Sequence, residues 1–183
     1  RSAIKLSKIC NDLRLLSSGP RAGLGEIRLP PMQAGSSIMP GKVNPVIPEV
    51  VNQVAYQVIG NDLTVTLAAE AGQLQLNAME PVLIFNVLQS IRMLTRAMAV
   101  LTDRCVVGIE VDTARCAALI ENSLVLATAL VPLVGYEAAA AIAKRALATG
   151  RTIADIALES GSLTREQLEL ALRAEAMLGP AAR

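Results

Sequence analysis

At 183 residues, with 52% hydrophobic and only 18% charged side chains, the chain has ample apolar surface to bury, which excludes intrinsic disorder. One Phe, two Tyr, no Trp and a net charge of +1 supply neither the aromatic platforms nor the basic footprint that nucleic acid or an anionic membrane requires. With no histidine, zinc, haem and Ser-His-Asp chemistry are not expected from this chain alone.

Residues 1–16 place Ile4, Ile9, Leu13 and Leu16 at helical spacing between polar residues, and Ser17-Ser18-Gly19-Pro20 ends that helix. Because the first residues already read as helix, the chain is expected to begin within a longer protein. A Pro- and Gly-rich stretch runs on to about Pro45. Loops of that length inside a compact domain are more often functional than decorative. From Ile47 a broad apolar stripe (Ile47, Val50, Val54 and Val58, widened by Val51, Ala55 and Ile59) predicts a helix buried on more than one side. A second long helix is predicted over about 77–106. Its seam of Ile84, Leu88, Ile91, Leu94, Met98, Leu101 and Cys105 steps by threes and fours, as in a coiled coil.

At 1.5 Å per residue that helix would be about 42 Å long, which suits a bundle shared between subunits better than a lone globule. After Gly108 the texture changes to short capped segments. Asp112 or Thr113 can cap a helix through Asn122, Gly135 precedes an Ala-rich segment ending at Gly150, and Thr152 with Asp155 and Thr164 with Gln167 each read as an N-cap with its polar N3 partner. The longest uncharged stretch, 122–136, is interrupted by Pro132 and too short to span a bilayer. The expectation is an all-α protein: residues 1–110 form part of a long-helix bundle and residues 111–183 a small helical domain. Three widely spaced cysteines, Cys10, Cys105 and Cys116, read as small buried hydrophobes in a reducing cytoplasm, not as a disulfide framework.

The most informative string is Gly35-Ser36-Ser37-Ile38-Met39-Pro40-Gly41-Lys42-Val43-Asn44-Pro45. It joins permissive glycines, two hydroxyls, a cation and an amide just ahead of a long helix. Backbone N–H groups there favour a bound anion, and Lys42 adds a full positive charge for a carboxylate or phosphate. It is neither a Walker A loop, since Val43 follows Lys42, nor a G-x-S-x-G elbow.

This string resembles the signature of the aspartase/fumarase superfamily, and the likeness extends from Asn11-Asp12-Leu13-Arg14 through to Met79-Glu80-Pro81 and into Gly135-Tyr136-Glu137. Val46-Ile47-Pro48-Glu49-Val50-Val51-Asn52-Gln53-Val54 and Gly72-Gln73-Leu74-Gln75-Leu76-Asn77 look like the aspartase branch.

The resemblance implies a long-helix bundle plus a small C-terminal helical domain, with the chain forming about two fifths of a family member. It implies a carbon–nitrogen lyase, by reversible anti elimination of ammonia from L-aspartate to fumarate, in a cytoplasmic homotetramer whose sites each draw on three subunits. No organic cofactor is implied; some relatives respond to divalent metal ions, but the sequence shows no metal-ligand cluster, and neither a nucleic acid nor a membrane partner is expected. Carried over residue by residue, Ser36 matches the catalytic base, Ser37, Lys42 and Asn44 match substrate contacts, and Glu49 matches the carboxylate that orients a histidine supplied from elsewhere. The motifs that would supply that histidine and the second carboxylate site are not in these residues, so the 183-residue chain alone is expected to be inactive. Fumarate hydratase on the same scaffold and a non-catalytic helical assembly module are the alternatives.

Overall fold

The computed structural model describes residues 1–33, 39 and 42–177 and divides the chain into two compact units, meeting at Asp112 and Thr113. The fold is all-α, as the periodicities predict.

The first unit is built on three helices, α1 (Ser2–Leu16), α2 (Val46–Glu70) and α3 (Glu80–Arg104), with α2 packed against both others. Each 25-residue helix is about 37 Å long at 1.5 Å per residue. α3 starts three residues later than predicted because Asn77 turns the chain first. Its Oδ1 accepts from the Met79 N–H at 2.8 Å and its Nδ2 donates to the Ala68 carbonyl at 2.8 Å. Between the helices, Gln73 and Leu76 exchange backbone hydrogen bonds of 2.8 and 2.9 Å around Leu74 and Gln75, both at positive φ (48° and 64°). Asn-Gly is the ordinary sequence for such a turn, so these two side chains hold a strained backbone.

The buried faces differ from the predicted stripes. On α1 the inward residues are Ala3, Ser7 and Cys10, while Ile4 and Ile9 stay exposed. On α3 only Leu101 and Cys105 of the seam are buried; Ile84, Leu88, Ile91 and Met98 are 44–58% exposed. On α2, Val50 and Ile59 are likewise open to solvent. Small and polar residues make many of the contacts between these helices, alongside Val51 and Leu101, and several large aliphatic side chains are left facing outward. A small cluster of Cys10, Val51, Ala97, Leu101 and Cys105 closes the end where α2 begins and α3 finishes.

Two buried amides fix how α2 lies on its neighbours. Asn61 Nδ2 donates to Gln89 Oε1 and Ser90 Oγ on α3 at 2.9 and 3.0 Å, and its Oδ1 accepts from Gln57 at 2.9 Å. Asn52 Nδ2 reaches the Ser7 carbonyl, the Ser7 hydroxyl and Asn11 Oδ1 on α1, at 3.0–3.1 Å.

The sequence showed no strand pattern, yet two-residue strands β1 (Ile27–Arg28) and β2 (Glu110–Val111) pair antiparallel. Strands this short leave no periodicity to read.

The second unit contains α4 (Thr113–Glu121), α5 (Leu126–Val134), α6 (Tyr136–Thr149), α7 (Ile153–Glu159), α8 (Arg165–Ala171) and the short α9 (Ala174–Met177). Leu130, Ile153, Ile156 and Ala157 are at most 1% exposed and form the centre of one closed apolar cluster with Leu126, Ile142, Leu163 and Leu168. The caps predicted at Thr152 and Thr164 are present. Thr152 Oγ1 accepts from the Asp155 N–H, Thr164 and Gln167 form a reciprocal capping box, and Gly150 ends α6 in the left-handed region at φ 67°. No single helix among the described residues is long and apolar enough to cross a membrane.

Candidate active site

The loop that carries the proposed chemistry is held at both ends by the first unit. Its first root follows α1, where Ser17 Oγ donates to the Leu13 carbonyl at 2.7 Å and the Glu26 N–H to the Leu16 carbonyl at 2.9 Å. At Gly23 any Cβ would lie 2.3 Å from the Ser18 backbone, so only glycine allows this fold-back. β1 then docks on β2, Arg28 forms an ion pair with Asp112 at 2.7 Å, and the Asp112 N–H donates to the Glu26 carbonyl at 2.9 Å. Pro30 packs against Gly108 so closely that a Cβ there would sit 2.5 Å from the proline ring. The loop therefore leaves a fixed strap.

Its second root is the start of α2. Pro45 occupies the N-cap without a side-chain cap. The Val46 N–H bonds to the Asn44 carbonyl at 2.9 Å, and Glu49 closes the first turn by donating its N–H to Pro45 at 3.2 Å. Pro48 is fully buried in that turn, where its missing N–H costs nothing because no intrahelical acceptor exists for it. Glu49 is partly buried at a helix N-terminus, the end that favours a negative charge.

Of the residues singled out in the sequence, Ser36 and Ser37 lie outside the described residues. Lys42 is exposed, its backbone N–H bonded to Met39, and Asn44 is partly buried. Among the described residues, the side chains of Lys42, Asn44 and Glu49 have no hydrogen-bond or ion-pair partner, so a cation, an amide and a carboxylate stand unengaged along eight residues of chain. That arrangement can hold an anionic group and orient a donor. The chain contains no histidine, so the partner that the resemblance implies for Glu49 is not among these residues.

Other candidate chemistry is poorly supported. No group of three or more His, Cys, Asp or Glu among the described residues could hold a metal. Burial, reinforced by neighbouring Cys105 and partly offset by Arg14, pushes the Cys10 thiol up to about 11; burial also raises Cys105. Both therefore stay protonated near neutrality and are poor nucleophiles. An open hollow of about 300 Å³ along α3, lined by Phe85, Leu88, Gln89, Arg92, Met93 and Arg96, is away from the end of α3 that packs at the loop root. Asn52, a polar residue inside the apolar stripe of α2, is given no role by the sequence; in the structure it is buried and its amide bonds Ser7 and Asn11 on α1.

A family profile described as Lyase matches residues 1–60, and one described as Fumarase C C-terminus matches residues 126–179. The chain is 60% identical over 180 residues to the aspartate ammonia-lyase of Pseudomonas fluorescens. That alignment covers 98% of this chain and 38% of the relative. The chain thus spans about two fifths of the curated relatives it matches. Among solved structures, the fumarate lyase:delta crystallin from Brucella melitensis superposes with a TM-score of 0.89 at 66% identity, covering 94% of this chain and 37% of that one. The class II fumarase from Schistosoma mansoni also gives a TM-score of 0.89, at 34% identity, covering 98% of this chain and 38% of that one. Along nearly its whole length, in sequence and in helical fold, this chain is similar to part of the aspartase/fumarase superfamily proteins.

Proposed function

We propose that these residues form the loop-bearing part of an aspartate ammonia-lyase, which reversibly eliminates ammonia from L-aspartate to give fumarate. The observation that carries this reading is the 60% identity to an aspartate ammonia-lyase over 98% of the chain, which includes the loop string. Class II fumarase, at 34% identity, is the more distant likeness.

In this reading Ser36 is the base. A serine hydroxyl is a weak base, so it acts as an alkoxide stabilised by loop N–H groups and the Lys42 ammonium. It takes a proton from Cβ, and the electron pair moves onto the adjacent carboxylate as a dianionic aci-carboxylate. That pair then forms the Cα=Cβ bond as the C–N bond breaks and ammonia leaves. Ser37, Lys42 and Asn44 contact the substrate. Donors aimed at the aci-carboxylate stabilise the transition state more than the ground state, and one such donor is worth about 3–4 kcal/mol. Glu49 orients a histidine from outside this chain.

The whole protein assembles as a homotetramer in the cytoplasm. The exposed aliphatic faces of α1, α2 and α3 support an assembly that covers them, and the free, buried thiols of Cys10 and Cys105 suit a reducing compartment. The 183 residues alone turn over no aspartate, because the remaining walls of the site are not among them.

The test is fumarate formation, followed by ultraviolet absorbance, with L-aspartate and L-malate supplied separately to the full-length protein. Fumarate from aspartate is expected; fumarate from malate only would overturn the reading in favour of a hydratase. Ser36→Ala should lower kcat by at least about 10²–10⁴-fold with the fold and tetramer intact. Unchanged turnover would remove Ser36 from its role.

A further inference from the structure

Asn52 sits where an aliphatic residue would serve stability better. It is 3% exposed, flanked by the buried Val51 and Ala55, and it breaks the apolar stripe of α2. Its Nδ2 faces three acceptors on α1, all 41 or 45 residues away in sequence: the Ser7 carbonyl at 3.1 Å, the Ser7 hydroxyl at 3.0 Å and Asn11 Oδ1 at 3.0 Å. A carbonyl and an amide oxygen can only accept, so the amide cannot be turned over without opposing oxygen to oxygen. Its Oδ1 is consequently left buried with no donor among the described residues. A buried acceptor without a partner costs stability, and an apolar side chain of similar size would remove that cost. Asn61, nine residues further along the same helix, shows the satisfied alternative, with Gln57, Gln89 and Ser90 engaging both ends of its amide.

Asn52 instead fixes position. Glu49 lies three residues before it, a neighbour on the same helix face, and the loop ends at Asn44-Pro45, immediately before α2. The start of α2 has no side-chain cap. What fixes its height and rotation on α1 is therefore lateral: the packing of Pro48 and Val51 and the grip of Asn52. Apolar packing tolerates sliding and rotation. A donor set on Ser7 and Asn11 does not.

Building on the lyase reading above, we propose that Asn52 is a positioning residue: its side-chain amide locks the first turns of α2 to α1, and thereby aims the Glu49 carboxylate and the second root of the catalytic loop.

The test uses the full-length protein and Asn52→Leu. This substitution leaves no buried partner stranded, because the Ser7 hydroxyl can bond back to a carbonyl of its own helix and Asn11 is exposed to water. Expected are an unchanged or higher melting temperature, an intact tetramer, and kcat on L-aspartate lowered about tenfold to a hundredfold, the loss typical of a misplacement near 1 Å. KM should change by less than about threefold, since the geometry affected matters chiefly in the transition state. A purely structural role would give the reverse: a lower melting temperature with kcat retained. A kcat within about twofold of wild type overturns the proposal. If Asn52→Leu fails to assemble, the double variant Ser7→Ala with Asn11→Ala decides. It removes two of the three acceptors without altering the volume at position 52, and an unchanged kcat there also overturns it. A wild-type protein that forms no fumarate from aspartate would instead remove the underlying lyase reading.

Discussion

From Thr113 onward, ten buried residues in a single cluster close a core, whereas the larger unit before it gathers only five in its principal cluster and leaves Ile4, Ile9, Leu63, Leu67, Ile84, Phe85, Leu88 and Ile91 at least half exposed. Average composition does not explain the contrast, because both units are rich in aliphatic residues. The second unit turns short helices back on one another, so that each apolar face meets another within a few dozen residues. The first unit lays out three helices, two of them 25 residues long, whose contacts with one another use alanine, cysteine and buried amides. Several of its large side chains stay exposed on the chain itself. One unit closes its apolar faces on one another, and the other leaves much of them open.

Truncating one aliphatic side chain in each unit should separate them most sharply. Leu130 is 0% exposed, and Leu130→Ala is expected to cost about 3 kcal/mol, the lost transfer energy plus the cavity left behind. Ile91 is 58% exposed, and Ile91→Ala should cost the 183-residue chain less than about 0.5 kcal/mol. Chemical denaturation of the two variants measures the difference. In the full-length protein the Ile91 cost should rise towards core values if another helix covers α3. Equal losses in the short chain would show that the seam is already buried there, and the contrast would fail.

That seam also shows how far the sequence can be read. A three-and-four step from Ile84 to Cys105 marks a face that avoids water, and it locates the helix correctly. It says nothing about the partner, and within this chain only Leu101 and Cys105 of that face are buried. Many of the other contacts are small or polar (Ala97, Ser7, Asn61 with Gln89 and Ser90) and add nothing to a hydrophobic pattern. Caps were legible at Thr152 and Thr164 because their chemistry is local, with donor and acceptor three residues apart. The strap of β1 and β2 was not, because its two partners are separated by more than 80 residues and each is only two residues long. In the proposed site, Lys42 and Glu49 are named by the resemblance of the loop string and the helix after it to the superfamily signature, not by any periodicity. Asn52 could not be given a role, since a polar residue in an apolar stripe reveals that a partner exists but not where.

Helix starts differ with helix length more than between the units. α1, α2, α3, α5 and α6 begin without side-chain caps, whereas the seven-residue α8 begins with Thr164 Oγ1 accepting from the Gln167 N–H at 3.2 Å and Gln167 Oε1 accepting from the Thr164 N–H at 3.0 Å. A helix of two turns cannot offset its own nucleation cost, so its cap contributes a large share of its stability. Thr164→Ala should therefore cost about 1 kcal/mol. Met79→Ala at the N-cap of α3 removes no capping bond and should be nearly neutral. Thermal melts of the two variants check this, and similar losses would break the distinction.

The smallest expected effect is electrostatic and confined to the second unit. Glu159 at the end of α7 accepts hydrogen bonds from Arg151 and Arg145, and these two guanidinium groups, Arg151 first, hold its carboxyl below the usual carboxylate range. A carboxyl whose pKa is lower in the folded than in the unfolded chain contributes stability above its unfolded value, and that contribution disappears as pH falls through the folded value. Glu159→Gln should thus be slightly less stable than wild type near neutral pH, and the gap should close in acid below the depressed value. Because the three side chains are about half exposed, added salt should narrow the gap at neutral pH as well. Melting temperatures of both proteins across an acid-to-neutral series at low and high salt measure this. A gap that persists unchanged below that value would mean that Glu159 acts through packing, and the two arginines would then have no electrostatic part in closing α6 onto α7.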